Sequence, residues 1–170
     1  LDEPIYFELK LLAYLDSDGH KVNAMEWLKL LMSRHPDNIE FTKLMIKFLI
    51  DSNNYQDAAV ICDAALENHP KDKILHFLRS QLYFQAELFV DSERSALISI
   101  TCDEEFTPAY LALAYAYLGK RDYEEAISAF NRTIEVDPTI IEAYRGKSKS
   151  LSAIGQEYDA MYILQKEIAI

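Results

Sequence analysis

Residues 122–138 read DYEEAISAFNRTIEVDP, and residues 54–70, which stand 68 positions earlier, read NYQDAAVICDAALENHP. Both stretches have a polar residue followed by Tyr, an Ala three residues later, and a Pro twelve residues after that Ala. Half of the separation is 34 residues, and the chain repeats at this shorter interval as well. A period of this length indicates a fold built from repeated supersecondary units.

Three columns of residues recur every 34 positions. The small residues of the first column are Ala24, Ala58, Ser92, Ala126 and Ala160. The large apolar residues of the second are Leu15, Leu49, Tyr83, Tyr117 and Leu151. The apolar residues of the third are Met32, Leu66, Ile100, Ile134 and Ile168. Agreement of three columns across five copies predicts units that bury their apolar sides against each other.

Each unit contains two helical patterns. In the fourth unit the first pattern consists of Tyr110, Leu113, Ala114 and Tyr117, and the second of Ala126, Ile127, Phe130 and Ile134. Residues 119–122 separate the two, and Pro138 ends the second because proline cannot continue a helix. One unit is therefore predicted to be a helical hairpin. Small residues near its eighth and twentieth places allow the two helices to cross closely.

The stretch at residues 107–138, TPAYLALAYAYLGKRDYEEAISAFNRTIEVDP, resembles a tetratricopeptide repeat (TPR) in its aromatic, Leu, small, Tyr, Ala, Phe and Pro positions. Residues 35–70 and 141–167 resemble it more loosely. The resemblance implies an all-α, right-handed superhelical solenoid of five TPR-like helix-turn-helix repeats with about ten helices. We expect one TPR domain over residues 1–170, excerpted from a longer protein, with repeats at about 5–38, 39–72, 73–106, 107–140 and 141–170. The first and third are degenerate.

Net charge and hydrophobic content argue against two classes of function, nucleic-acid binding and a membrane-spanning role. The 170 residues are 50% hydrophobic and carry a net charge of −11, which argues against binding to a nucleic-acid backbone. No apolar run is long enough to span a membrane. The compartment stays open: cytoplasmic is the default, and a periplasmic or membrane-associated assembly is the alternative if a leader was removed.

No pattern of catalytic residues emerges. The sequence contains no GxGxxG, GxxxxGK[ST], HExxH or GxSxG motif, so we predict no enzyme, no cofactor and no metal. His69 and His76 stand seven residues apart without a third ligand nearby. Cys62 and Cys102 are expected to be buried or half-buried thiols, rather than a disulfide or a metal site.

TPR ligands lie in a concave groove lined by the first helix of each hairpin. One face of that helix packs in the stack, and the opposite face, at places two, five, nine and twelve, is predicted to line the groove. The groove residues predicted in this way are Lys43, Lys47, Ile74, Phe77, Gln81, Phe84, Leu111, Tyr115, Arg145 and Lys149. They form an apolar and aromatic centre with a basic pair on each side. The alternative is that the central aromatic residues only pack within the stack.

We predict a protein-interaction scaffold or adaptor that binds a peptide or a segment of a partner protein in this groove. Two alternatives are a TPR-type secretion or assembly chaperone for an apolar client segment, and a regulatory or targeting module of a larger enzyme or transport assembly. A chaperone-tail carboxylate clamp is disfavoured, because Leu78, Pro108 and Ala112 stand at clamp positions. On the last helix Met161, Tyr162 and Ile168 predict contact with a second copy or a further repeat. The partner, pathway and oligomeric state are not determined by the sequence.

Overall fold

The structure, a computed structural model, describes residues 21–167, and its side chains are described for residues 25–165. Within that range the chain forms nine α-helices and no strand: α1 (Lys21–Arg34), α2 (Ile39–Asp51), α3 (Tyr55–Asn68), α4 (Lys73–Gln85), α5 (Phe89–Cys102), α6 (Thr107–Lys120), α7 (Tyr123–Val136), α8 (Ile141–Ala153) and α9 (Glu157–Glu167). The prediction of an all-α repeat fold is confirmed. The first helix predicted for repeat 1 lies outside the described residues.

Two compact units divide the chain, at residues 1–61 and 62–170, with the boundary inside α3. In the first unit α1 packs against α2. In the second unit the hairpins are α4–α5, α6–α7 and α8–α9, and each hairpin packs on the next through α5 with α6 and α7 with α8. The expectation of a single domain over residues 1–170 stays a prediction.

Small residues at the helix crossings decide how closely each hairpin of the second unit closes. Ala114 and Ala126, at places eight and twenty of repeat 4, are both fully buried. In repeat 3 the same places hold Ser80 and Ser92, and the Ser92 hydroxyl donates a hydrogen bond to the Ser80 carbonyl at 2.9 Å. Such pairs let the helix axes approach because no large side chain separates them. The Ser80 hydroxyl is paired as well, since it lies 3.1 Å from the Ser92 hydroxyl. Both contacts matter because an unpaired buried hydroxyl costs free energy.

The turn inside each hairpin has the same backbone conformation in four repeats. The residues with positive φ are Asn53 (58°), Glu87 (58°), Arg121 (68°) and Gly155 (81°), spaced by 34 residues. In each turn the following backbone N–H donates to the carbonyl five residues earlier: Asn54 to Leu49, Leu88 to Tyr83, Asp122 to Tyr117, and Gln156 to Leu151. These bonds satisfy carbonyls that the end of a helix leaves unpaired.

A second recurring contact fixes the turns between hairpins. The ring at place four hydrogen-bonds to the carbonyl six residues earlier in three successive repeats. The pairs are His76 Nε2 with Pro70 at 2.9 Å, Tyr110 Oη with Glu104 at 3.0 Å, and Tyr144 Oη with Pro138 at 3.1 Å. Because the neighbouring rings donate through a hydroxyl, His76 takes their role with its Nε2–H. This contact accounts for a buried histidine in the degenerate third repeat.

The turn that ends repeat 3 forms without a proline. Asp103 N donates to Ser99 O at 3.1 Å, as Asp137 N donates to Thr133 O at 2.9 Å in the next repeat, which does contain Pro138. The Asp103 side chain accepts a hydrogen bond from Glu105 N at 2.9 Å and forms an ion pair with Lys73. Both interactions lower the pKa of Asp103, the ion pair more strongly. The hydrogen bond recurs in the turn that contains Pro138, where the Asp137 side chain accepts from Thr139 N at 2.9 Å. The ion pair with Lys73 is therefore the interaction that distinguishes the turn without a proline.

Candidate peptide-binding groove

The first helices of the three hairpins form one face of the second unit. Helix α4 contacts α6, and α6 contacts α8. Within residues 62–167 the second helices α5, α7 and α9 make no such contacts with one another. Helices that touch their counterparts in successive repeats lie on the inner side of the curve. This face, the α4–α6–α8 face, is where the sequence predicts a groove.

A series of aromatic rings connects α4 with α6 and α7. The Phe84 ring on α4 lies 6.1 Å from the Tyr115 ring on α6, and the Tyr115 ring lies 5.4 Å from the Phe130 ring on α7. Both pairs have the edge-to-face geometry that aromatic rings favour. Phe84 also contacts Phe89 at 5.5 Å. Phe84 and Tyr115 are half-buried, so each packs in the stack and still has an exposed portion.

The Tyr115 hydroxyl lies against α8. It donates a long hydrogen bond of 3.4 Å to the Glu142 carbonyl. Burial raises the pKa of Tyr115, the Glu142 carboxylate raises it further, and the Arg145 guanidinium opposes the change. Tyr115, on α6, therefore contacts three other helices, α4, α7 and α8. Its side chain contributes to the fold whether or not it also binds a partner.

The other apolar positions on the face are also partly exposed. Ile74, Phe77 and Leu111 are half-buried, and so is the polar Gln81. The Phe77 ring packs edge-to-face on Phe106 at 5.7 Å. We did not predict Phe106 from the sequence, although its place at the end of repeat 3, directly before α6, could have suggested it.

Charge on the face is concentrated on α8. Glu142, Arg145 and Lys149 are all exposed there. Arg145 and Lys149 stand one helical turn apart, so their side chains lie on the same side of α8. This basic pair belongs to a chain whose net charge is −11.

The other predicted basic pair belongs to the first unit. Lys43 is buried, with 9% of its surface exposed, and its Nζ lies 2.8 Å from Glu40 Oε1. Lys47 is exposed. Burial leaves Lys43 little surface for a partner. A binding role for either lysine stays a prediction.

The two cysteines and the possible metal ligands lie outside this face. Cys62 is fully buried, and burial raises its pKa to about 12. Cys102 is exposed, which differs from the sequence-based expectation because it is the last residue of α5. Among the described residues no group of three or more His, Cys, Asp or Glu side chains could hold a metal ion.

Helix α9 carries the other predicted contact. Met161 and Tyr162 are 60% and 57% exposed. Ile168 lies outside the described residues. The same helix also exposes Leu164, and it exposes Tyr158, which the sequence-based prediction did not include.

Two family models match the chain, and both are described as tetratricopeptide repeats. They cover residues 49–98 and 107–140. The second match is the repeat with Ala114, Ala126 and Phe130 in its buried core. The chain therefore contains tetratricopeptide repeats.

Similarity to individual TPR proteins and solved structures is distant in sequence. Human tetratricopeptide repeat protein 12 is 25% identical over 93 residues, which is 55% of this chain and 13% of that protein. The match thus spans a small part of this relative. A structure of MamA from Desulfovibrio magneticus RS-1 matches 99% of this chain and 95% of its own, with a TM-score of 0.78 and 17% identity. Another MamA crystal structure has a TM-score of 0.75 and 18% identity, covering 89% and 88% of the two chains.

At these identities the two MamA structures establish the fold alone. The TPR family supplies the general role, which is that of a protein-interaction scaffold. No helix among the described residues is long and apolar enough to cross a membrane. The identity of the partner and the residues that bind it do not follow from the family.

Proposed function

We propose that the α4–α6–α8 face binds an extended or helical peptide with apolar anchor residues and acidic neighbours. One observation carries the proposal: partly exposed apolar side chains on α4 and α6 adjoin exposed basic side chains on α8. The general scaffold role of the TPR family supports it.

The apolar part of the face has the character of a binding site. Phe77 and Leu111 stand off the columns that pack the repeats, yet both are large and only half-buried. Peptide grooves typically obtain most of their affinity from a few apolar or aromatic anchors. The contacts of Phe77 with Phe106, and of Phe84 with Tyr115, hold these rings in place before a peptide arrives. A preformed site reduces the entropy cost of binding.

The basic part of the face selects the charge of the peptide. Arg145 and Lys149 attract carboxylates, and they do so against the acidic background of the chain. Glu142, on the first turn of α8, would repel an acidic residue of the peptide at that end of the helix. We therefore expect the acidic residues of the peptide near Lys149. The proposed action is equilibrium binding without a chemical step.

Selection of peptides from a random phage-displayed library on the intact chain tests this proposal. Selected peptides should combine large apolar residues with Asp or Glu. In fluorescence anisotropy, Lys149→Glu should weaken the binding of a labelled selected peptide by about tenfold or more, which is about 1.4 kcal/mol. Phe77→Ala should weaken it as well, through loss of an anchor.

The matched control is Arg94→Glu, which makes the same charge change on α5. The Arg94 side chain is 69% exposed and paired with Asp91 on its own helix. Equal weakening by Arg94→Glu and Lys149→Glu would show a general charge effect and contradict the proposed face. Thermal unfolding of each variant separates lost binding from lost folding. Tyr115→Ala is unsuitable as a test, because this ring packs on Phe84 and Phe130.

A second candidate role is self-association or contact with a further repeat through the last helix. Exposed Met161 and Tyr162 favour it. These residues lie on the second helix of a hairpin, so this surface is separate from the α4–α6–α8 face.

A further inference from the structure

We propose that the outer side of α5 binds an amphipathic segment of a partner protein that carries apolar anchors and has Lys or Arg residues at its two ends. The surface in question, the outer α5 surface, consists of Leu88, Val90, Leu97 and Ile98. It belongs to the second helix of a hairpin, so it is separate from the α4–α6–α8 face. The inference is therefore independent of peptide binding to that face.

The apolar side chains of the outer α5 surface are exposed together. Leu88, directly before α5, is 50% exposed, and Val90, Leu97 and Ile98 are 58%, 43% and 38% exposed. Leu97 and Ile98 stand seven and eight residues after Val90, so the three lie on one side of the helix. Single exposed apolar residues are common, but a group of them on one side of a helix is typical of a contact surface.

Neighbouring hairpins do not cover this surface. Hairpins α6–α7 and α8–α9 both follow α5, and its outer side is exposed in their presence. The residues 34 positions later are Asp122, Glu124, Asn131 and Arg132. All four are polar or charged, as expected of places that face water. The apolar residues on α5 thus serve neither the hairpin nor the stack.

Acidic residues stand at both ends of α5. Glu87 precedes the helix, Glu104 and Glu105 follow it, and all three are exposed. The equivalent residues of the next repeat are Arg121, Pro138 and Thr139. The apolar surface and its acidic ends therefore occur together in repeat 3, where the chain departs from the repeat pattern.

This charge distribution favours a basic partner over a second copy. Two copies paired through the outer α5 surface would bring Glu87 or Glu104 of one copy near an acidic residue of the other, whether the helices ran parallel or antiparallel. Like charges at a contact oppose binding. Lys or Arg residues at the ends of a partner segment would instead attract these carboxylates, and the net charge of −11 acts in the same direction.

The length of α5 sets the spacing of the basic residues. The helix has 14 residues, or about 21 Å. A helical partner segment of similar length would place basic residues near both acidic ends. Arg94 lies between the ends, and it is paired with Asp91 on its own helix at 3.0 Å. This pairing reduces its repulsion of a basic segment.

Subtractive selection from a library of random phage-displayed peptides tests the inference. Clones that bind a Leu97→Asn, Ile98→Arg double variant are discarded, and the remaining clones are selected on the wild-type chain. The variant carries the residues of α7 at these two places, so it should fold, which circular dichroism checks; Val90→Glu replaces it if it does not. We expect the retained peptides to combine apolar residues at helical spacing with Lys or Arg near both ends.

Fluorescence anisotropy of a labelled retained peptide tests the acidic end. Glu104→Lys combined with Glu105→Lys should raise the Kd by about tenfold or more. The matched control is Glu124→Lys combined with Glu125→Lys, which makes the same charge change at exposed residues of α7. At about 0.15 M salt this control should change the Kd by less than about threefold, because screening weakens the effect of distant charges.

Four results would overturn the inference. They are a subtraction that leaves no binding clone, retained peptides without basic residues, equal weakening by the two charge-reversed pairs, and a wild-type dimer in sedimentation velocity that the double variant dissociates. The last result would make a second copy the occupant. Lys149→Glu should leave the binding of the retained peptides unchanged, although it weakens peptides that bind the α4–α6–α8 face, so failure of either proposal is recognised separately.

Discussion

Gly146→Ala is expected to destabilise the second unit, although alanine is the better helix former. Gly146 lies in the middle of α8, directly beneath the ring of Phe130. A Cβ atom at this position would stand 2.1, 2.4 and 2.8 Å from three atoms of that ring. Ordinary contacts between carbon atoms are about 3.5–4.0 Å. The ring would have to move by more than 1 Å, roughly the difference between these distances.

The magnitude follows from two opposing effects. Alanine in place of a helical glycine contributes about 1 kcal/mol of stability. Forcing an additional carbon into a packed core costs about 1–3 kcal/mol. Phe130 has no exposed surface and Tyr115 packs against it at 5.4 Å, so the ring has little room to relax. We therefore take the upper part of that range and expect a net loss of about 1–2 kcal/mol.

Urea denaturation followed by circular dichroism measures the change, with the midpoint compared between variants because repeat arrays need not unfold in two states. Gly119→Ala is the matched control. Its Cβ would stand 2.4 Å from the ring of Phe89, but Phe89 is half-buried and can shift toward solvent. The loss for Gly119→Ala should therefore be smaller than for Gly146→Ala.

A Phe130→Leu background identifies the cause. Leucine is shorter than phenylalanine, so Gly146→Ala should cost at least about 1 kcal/mol less there than in the wild-type chain. Two results would refute the reasoning. One is stabilisation by Gly146→Ala in the wild-type chain, and the other is an equal loss in both backgrounds.

Three further predictions concern the turn inside repeat 3, the reactivity of the two thiols and the pH dependence of stability. Glu87→Gly should stabilise the chain by up to about 1 kcal/mol, measured by urea denaturation. The reason is that Glu87 has a φ of 58°, and this left-handed conformation is unfavourable for residues other than glycine. Destabilisation would mean that the Glu87 side chain makes a compensating contact. A thiol reagent should modify Cys102 and spare Cys62 in the native chain, and modify both in denaturant. Since burial raises the folded-state pKa of Cys62 to about 12, the unfolded thiol ionises first, so stability should fall as pH rises from about 9 toward 12. A Cys62→Ala variant should show a smaller fall, and part of it should remain because the pKa of Tyr115 is raised as well.

The hairpins and their crossings could be read from the sequence because local rules determine them. The 34-residue period, the apolar spacing within each helix and the small residues at places eight and twenty all agree. The buried pair of Ala114 and Ala126 confirms the crossing prediction, and so does the hydrogen-bonded pair of Ser80 and Ser92.

Other features required the fold because the residues involved are distant in the chain or atypical for their role. Gly155 and Asn53 are residue types that favour a left-handed turn, yet Glu87 adopts the same conformation at the equivalent place. Asp103 and Lys73 replace a proline by an ion pair across 30 residues. The apolar spacing within one helix cannot predict this ion pair, because its two residues belong to different elements.

The α4–α6–α8 face was also predicted from the sequence only in part. Periodicity identified Phe84 and Tyr115 as residues off the packing columns, but the structure places each ring against another ring as well. Whether the face binds a peptide stays a prediction.

The sequence by itself determined the repeating unit, since a helical hairpin depends on residues within about 34 positions of each other. The tertiary structure decided which side chains remain available to a partner. Phe130 and Leu164 occupy the same place in successive repeats, and one is fully buried while the other is 41% exposed. The difference arises because α8 covers Phe130, so exposure depends on the neighbouring hairpin as well as on the residue itself.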